Sequence, residues 1–329
     1  MRSLYISQQG CYVSLRQESV VIKQGQTVLN EVQLPLLEQI LIFGKSQVTT
    51  QVIRACLQRD IPIAYLSRMG YCYGRITPIE RGYRQLSRYQ QQMLAAERLV
   101  VARQIVWAKL KNSRVLLLRQ QRRRATEAIT TAIQNLDVLA GQAKEALSVE
   151  RLMGLEGAGA ATYFSAFADC LSNPDFIFTG RSRRPPGNPV NALLSFGYQV
   201  LWNHLLALIE LQGLDPYHAC LHQGSERHAA LASDLIEEFR SPIVDSLTAY
   251  LINRGVMSGV EDFEFYNGGC YLNDTGRKKF LRAFVQRMEE EVQTTGDRLP
   301  RWDTLMQQVK AYKQCVYSPS TSYQPYLLR

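Results

Sequence analysis

Paired cysteine is what this 329-residue chain lacks. Its seven cysteines, at positions 11, 56, 72, 170, 220, 270 and 315, form an odd set without a Cys-x-x-Cys pair, which excludes a zinc ribbon and a secreted disulfide scaffold. Histidine is scarcer still: there are four, all between residues 204 and 228. His218 and His222 have the i, i+4 spacing of a helical zinc pair, but no His-Glu-x-x-His pattern accompanies them and Pro216 delays any helix there. Acid is short relative to base, 29 Asp and Glu against 38 Lys and Arg, a net charge of +9. That balance favours an anionic partner, nucleic acid foremost. Residues 1–9 alternate polar and apolar side chains with no basic start and apolar run, so no signal peptide is expected and a cytoplasmic location is. The most apolar stretch, residues 192–209, carries Gln199, Asn203 and His204. Asn188-Pro189 before it and Gly213 after it read as the N-cap, first-turn proline and C-terminal glycine of a buried helix, not a membrane span. No internal repeat is visible.

What is present divides the chain. Residues 1–76 are mostly short β-branched and aromatic runs separated by turn-forming pairs, predicting strands at 4–6, 12–15, 20–22, 39–43 and 62–66. Helical spacing of Val52, Ile53, Cys56 and Leu57 places one helix among them, over 49–58. Residues 77–83 read as a linker. From 84 to 316 helical periodicity dominates: two long helices within 87–147, then helices at 149–171, 189–212, 229–239, 241–254 and 275–293, with a small hairpin at 267–272. Residues 317–329, rich in Ser, Pro and Tyr without period, read as a mobile tail. The expectation is an α+β chain, a β-rich domain followed by a larger helical one.

Four residues of the helical part suit a divalent metal acting on a phosphodiester. Glu156 is the only charge in Gly154-Leu155-Glu156-Gly157-Ala158-Gly159-Ala160-Ala161, where small residues let another backbone approach. His222 follows the turn-like Gly213-Leu214-Asp215-Pro216. Asp234 and Glu237, three apart, are neighbours if 231–240 is helical and could converge on one ion. Oxygen ligands with one imidazole suit Mn2+ or Mg2+ better than structural zinc. Taken singly, each residue reads more often as a solvated or hydrogen-bonded side chain than as a functional one. Arg119, Arg122, Arg123 and Arg124 form one basic knot, and Arg181, Arg183 and Arg184 another beside Pro185-Pro186; arginine forks match phosphate oxygens. A solvated helix face explains the first knot as well.

The surrounding text resembles the family of CRISPR-associated protein one, the subunit that inserts captured DNA into the repeat array. The likeness is carried by Leu152-Met153-Gly154-Leu155-Glu156-Gly157 running to Tyr163-Phe164; by Gly180-Arg181-Ser182-Arg183-Arg184-Pro185-Pro186 with Asn188 to Tyr198; by Gly213 to Tyr217 with Leu221-His222; and by Asp234-Leu235-Ile236-Glu237-Glu238-Phe239-Arg240. Gly44, Val48-Thr49-Thr50, Ile61-Pro62-Ile63 and Gly70-Tyr71 agree in the first third. Residues 223–230 lack the usual Gly-Arg, and Ala219-Cys220 stand where Gly-Phe is usual. The resemblance implies a metal-dependent endonuclease and integrase that joins DNA by 3′-hydroxyl attack on a phosphodiester. It implies metal ligands Glu156, His222 and Glu237, with Asp234 orienting or sharing the metal. Further implied are a homodimer through residues 1–76, a small CRISPR-associated protein two subunit, double-stranded DNA with 3′-hydroxyl ends, and CRISPR repeat DNA. Tyr163, Asn191 and Tyr198 join the three arginines of the second knot as candidate DNA contacts, although such tyrosines are also core residues and such an asparagine a helix cap. A general metal nuclease or branched-DNA resolvase, or a basic scaffold without catalysis, are the alternatives.

Overall fold

The structure, a computed structural model, describes residues 3–68, 72–79, 83–224, 228–293 and 298–328. The first part holds β1 (Ser3–Ile6), β2 (Tyr12–Arg16), β3 (Ser19–Gln24), β4 (Thr27–Gln33), β5 (Gln39–Phe43), β6 (Gln47–Val48), α1 (Thr50–Leu57), β7 (Ile63–Leu66) and β8 (Cys72–Ile76). Thr49 caps α1 by accepting from the Val52 amide, which fixes where strand gives way to helix. Two four-stranded sheets result, ordered β1-β5-β7-β8 and β4-β3-β2-β6. Every residue of β5 is buried, because β5 lies between two cores. Ile40 and Ile42 face a core of this region; Leu41 and Phe43, on the opposite face of the pleat, pack into the helical core. The β-rich region is thereby joined to the helices through a shared sheet. Gly70 and Tyr71 of the family likeness lie outside the described residues, as does part of the expected 77–83 linker.

The second part holds α2 (Tyr83–Gln92), α3 (Ala95–Gln121), α4 (Glu127–Glu145), α5 (Val149–Phe167), α6 (Pro189–Leu211), α7 (Ala230–Ile236), α8 (Ser246–Asn253), the hairpin β9 (Phe263–Tyr266) and β10 (Gly269–Leu272), α9 (Asp274–Glu289), the short pair β11 (Glu291–Gln293) and β12 (Arg298–Pro300), and α10 (Arg301–Tyr317). Where two long helices are expected over 87–147 there are three. The first break falls at Met93-Leu94, where the Glu97 carboxylate accepts from the Leu94 amide at 2.7 Å and restarts the helix; Thr126 caps the third. Among the described residues α6 alone is long and apolar enough to cross a membrane, but 78% of its apolar window is buried inside the protein. It starts on the Asn188 cap with Pro189 in its first turn and stops at Gly213, whose φ of 70° is left-handed.

The expected mobile tail is a correction. Residues 318–328 run back over the helices: Tyr323 is 1% exposed, its hydroxyl donates to Glu238 at 2.5 Å, and the Tyr326 amide donates to the other Glu238 oxygen at 2.6 Å. Asn112 of α3 completes the strap, donating to the Tyr326 carbonyl and accepting from the Leu328 amide. These bonds use backbone groups that no sequence period reports.

Candidate metal centre

Two helices that run close together build the first half of the site. Gly159 of α5 faces Leu110 of α3 so tightly that a Cβ would collide with the leucine; here the run of small residues allows the close approach expected of it. One residue before Leu110 and one turn before Gly159, Lys109 and Glu156 form a close ion pair. The same ammonium lies 2.6 Å from Glu237 Oε2, so Glu156 and Glu237 converge on a single cation. The Lys109 contact to Oε2 is an ion pair without hydrogen-bond alignment, leaving that buried oxygen near a charge with no donor directed at it. Arg240 holds Oε1 from the other side at 3.0 Å. Burial alone would raise the Glu237 pKa, but Arg240, Lys109 and His222 outweigh it and hold the carboxyl at about 2.

The second half is the loop carrying His222, fastened by Asp234 of α7. Asp234 is fully buried. Its Oδ2 accepts from the amides of Cys220 (2.7 Å) and Leu221 (2.9 Å), and its Oδ1 from the His222 amide and ring Nδ1, both at 2.8 Å. Both Asp234 oxygens are thus used in fixing the loop and the ring of His222. The bond to Nδ1 places the ring proton there and leaves Nε2 as the electron-pair donor. Burial pulls the His222 pKa down, while Asp234 and then Glu237 push harder the other way, so it lies above its ordinary value. The expected helix over 231–240 stops at Ile236, with Glu237 as its cap, and a π-helical turn spans Arg240–Asp245. In this arrangement Asp234 bonds the 220–222 loop, while Glu237 meets Lys109.

Among the described residues no three His, Cys, Asp or Glu side chains already surround one point as a ready metal cage. The donor chemistry nevertheless fits a divalent cation. Two carboxylates already share one cation, the Lys109 ammonium, and an oriented imidazole lies close enough to Glu237 for their charges to interact. Lys109 is the residue that sequence reading missed. Its signal was available: it is a lone cation in the apolar run Ile105-Val106-Trp107-Ala108-Lys109-Leu110, and it is buried.

Four of the candidate DNA contacts are corrected by their surroundings. Tyr163, Tyr198 and Asn191 are buried. The Tyr198 hydroxyl donates to Asp245, whose carboxyl burial raises in pKa. Asn191 accepts from the Ser182 amide and donates to the Gly180 carbonyl. Arg181 spends its guanidinium on Asn191 (2.8 Å) and Ser195 (2.9 Å) and lies 5.6 Å from the Tyr198 ring, which Arg240 approaches to 4.8 Å. Arg181, Asn191 and Tyr198 cannot reach a phosphate without giving up a buried bond, and the Tyr163 hydroxyl is buried without a hydrogen-bond partner. Arg183 and Arg184 are exposed. Arg183 lines the same hollow as Lys109 and Arg240, and the charge of Arg184 is felt at His228, next to His222 in the electrostatics of this loop.

Comparison with known proteins agrees with this frame. A family model described as CRISPR associated protein Cas1 matches residues 4–286. A Cas1 endonuclease of Thermus thermophilus is 32% identical over 327 residues, covering 99% of both chains. A Cas4 exonuclease/Cas1 endonuclease fusion of Geobacter sulfurreducens is 36% identical over 301 residues, 88% of this chain but 53% of the fusion, so this chain spans about half of that relative. Among solved structures, a chain of a Cas6-RT-Cas1–Cas2 complex superposes with a TM-score of 0.84 at 25% identity, over 99% of this chain and 36% of that one. The chain belongs to the Cas1 family of CRISPR-associated endonucleases.

Proposed function

We propose that this chain is the integrase of CRISPR adaptation, joining captured DNA to a repeat by attack of a 3′-hydroxyl on a phosphodiester, with Mg2+ or Mn2+ held by Glu156, Glu237 and His222 Nε2. The observation that carries this reading is the convergence of two carboxylates on one cation beside an imidazole whose tautomer is fixed. A divalent ion supplies charge neutralisation at an anionic phosphodiester and lowers the pKa of an attacking hydroxyl. Around it the chain's own residues have separable tasks. Asp234 keeps the His222 lone pair aimed. Arg240 holds Glu237 ionised. Lys109, whose ammonium lies between the two carboxylates, would be available to a phosphate oxygen if a metal took that place. Arg183, exposed at the hollow, and its exposed neighbour Arg184 hold the DNA backbone. No nucleophilic side chain is needed, because the DNA brings its own hydroxyl.

The partners follow the same reading. A Cas2-type small subunit is supported by the likeness to a chain solved in a Cas1–Cas2 complex. Pairing of two copies is supported by β4, an edge strand with Val28 and Leu29 exposed, because such edges are covered most simply by another chain. Replacing both by lysine should give a monomer in sedimentation; a dimer that persists would place the contact elsewhere.

The test is direct. Purified chain, its small subunit, manganese, a labelled short duplex and a supercoiled plasmid bearing a repeat should yield label covalently joined to plasmid. Glu156→Ala, His222→Ala and Glu237→Ala should each abolish joining while leaving most DNA affinity, which rests on Lys and Arg. Cut plasmid without joined label would instead identify a nuclease or resolvase, and unimpaired joining by the three variants would remove those residues from the site.

A further inference from the structure

The arginine knot at the end of α3 takes no part in the metal site. Two of its members, Arg119 and Arg123, meet Arg254 at the end of α8 and Arg287 of α9 around a cleft of about 190 Å3. Four guanidiniums from three elements far apart in sequence thus face one small space. Among the described residues the acids near Arg123, Arg254 and Arg287 do not balance these three. Glu290 lies 3.9 Å from Arg287 but 2.6 Å from Arg301, which holds it, and Asp169, beside the lining residue Cys170, accepts from Thr126. Among the described residues Arg123 and Arg254 have no ion-pair partner. Arg287 has a buried Nε with no hydrogen-bond partner, and its guanidinium lies 5.9 Å from the Tyr250 ring. Burial lowers the Arg287 pKa, and the charges of Arg301 and Arg119 work in the same direction against Glu290 and Tyr250. Like charges gathered in a half-buried space repel unless an anion joins them, and a phosphate, with several acceptor oxygens, matches arginine forks.

The cleft also has a fixed relation to the metal centre. The Gln120 amide donates to the Cys170 carbonyl at 3.0 Å, tying α3 to the end of α5 at the cleft, as Lys109 ties α3 to Glu156 at the metal centre. From Lys109 to Arg119 the helix rises ~15 Å, about four to five nucleotide steps at ~3.4 Å along one strand. We propose that this cleft is a second nucleic-acid contact, taking a backbone phosphate of the DNA whose reacting phosphodiester lies at the metal centre. The inference rests on the reading of the chain as a DNA-binding enzyme. A free phosphate has the same chemistry, so the experiment separates the two sources.

The full-length chain and its Arg123→Gln/Arg254→Gln variant would be titrated, in EDTA, against a fluorescent duplex over a series of salt concentrations. Both residues are exposed, so the melting temperature should not change. Loss of one phosphate contact should shallow the slope of log affinity against log salt by ~0.9, and Arg254→Glu alone should act in the same direction. An unchanged slope in both variants overturns the proposal. So does an unchanged slope with calorimetric binding of inorganic phosphate that the wild type shows and the variant loses, which would mark the cleft as a free-anion site. Because binding is read without metal, failure of the integrase reading would appear as cut, unjoined plasmid while leaving the slope difference in place.

Discussion

Replacing Lys109 by methionine tests the metal centre from the inside. Methionine, one atom shorter, keeps most of the side chain's packing but withdraws the charge that Glu156 and Glu237 share. Glu237 is 2% exposed and Glu156 15%, so the loss falls on one deeply buried carboxylate and one partly screened. Breaking a buried pair costs ~3–5 kcal/mol. Arg240 remains at 3.0 Å from Glu237, which sets the expectation at the lower end, ~3 kcal/mol. With an unfolding entropy of ~2.1 cal/mol/K per residue, a chain of this length should melt roughly 4 °C lower in EDTA. Manganese should reverse the order. In the wild type the ion would have to displace the ammonium, whereas in the variant it would meet two carboxylates without that lysine, so manganese should raise the melting temperature of Lys109→Met by more. Its dissociation constant in titration calorimetry should be tighter by about tenfold, equivalent to ~1.4 kcal/mol. A variant that melts with the wild type in EDTA, or that gains no more from manganese than the wild type does, would show that the lysine and the metal do not compete for this place.

The second arginine knot should split in two. Arg183→Ala/Arg184→Ala should shallow the DNA salt slope by up to ~1.8 with the melting temperature unchanged, whereas Arg181→Ala should leave the slope alone and lose ~1.5–3 kcal/mol of stability with its charged hydrogen bonds to Asn191 and Ser195; the reverse pattern would refute the division. Glu238 predicts a pH effect. Burial pushes its carboxyl from 4.5 up to about 8, so its contribution is fully present below about pH 4.5 and declines by ~1.4 kcal/mol per pH unit until pH passes 8. Glu238→Gln, uncharged throughout, should remove that decline in metal-free urea unfolding at pH 5.5 and 8; parallel losses in both proteins would show that the carboxyl is not protonated when folded.

Much of the fold was legible where one local signal sufficed. The Thr49, Asn188 and Gly213 boundaries are local chemistry, and the alternation of Leu41, Ile42 and Phe43 already marks a strand with two apolar faces. α10 was not expected because its buried side includes Arg301, Thr304 and Gln308, which blurs the apolar stripe. The strap of residues 318–328 was read as mobile because its partners, Asn112 and Glu238, are remote in sequence and are reached largely through backbone groups. At the site, residue type made Glu156, His222, Asp234 and Glu237 candidates and the family resemblance singled them out, but neither carries direction. Only the fold shows Asp234 closing on the loop amides and Lys109 bridging carboxylates, the nearer of which is 47 residues away.

The strap has a consequence in time. Glu238, the immediate neighbour of Glu237, receives the Tyr326 amide from 88 residues further along the chain. A ribosome adding ~5–20 residues per second needs roughly 4–18 s to cover that interval. Until then the turn that presents Glu237 lacks its outer fastening, although every proposed metal ligand has already been synthesised. Assembly of this corner of the fold therefore waits on residues 323–326.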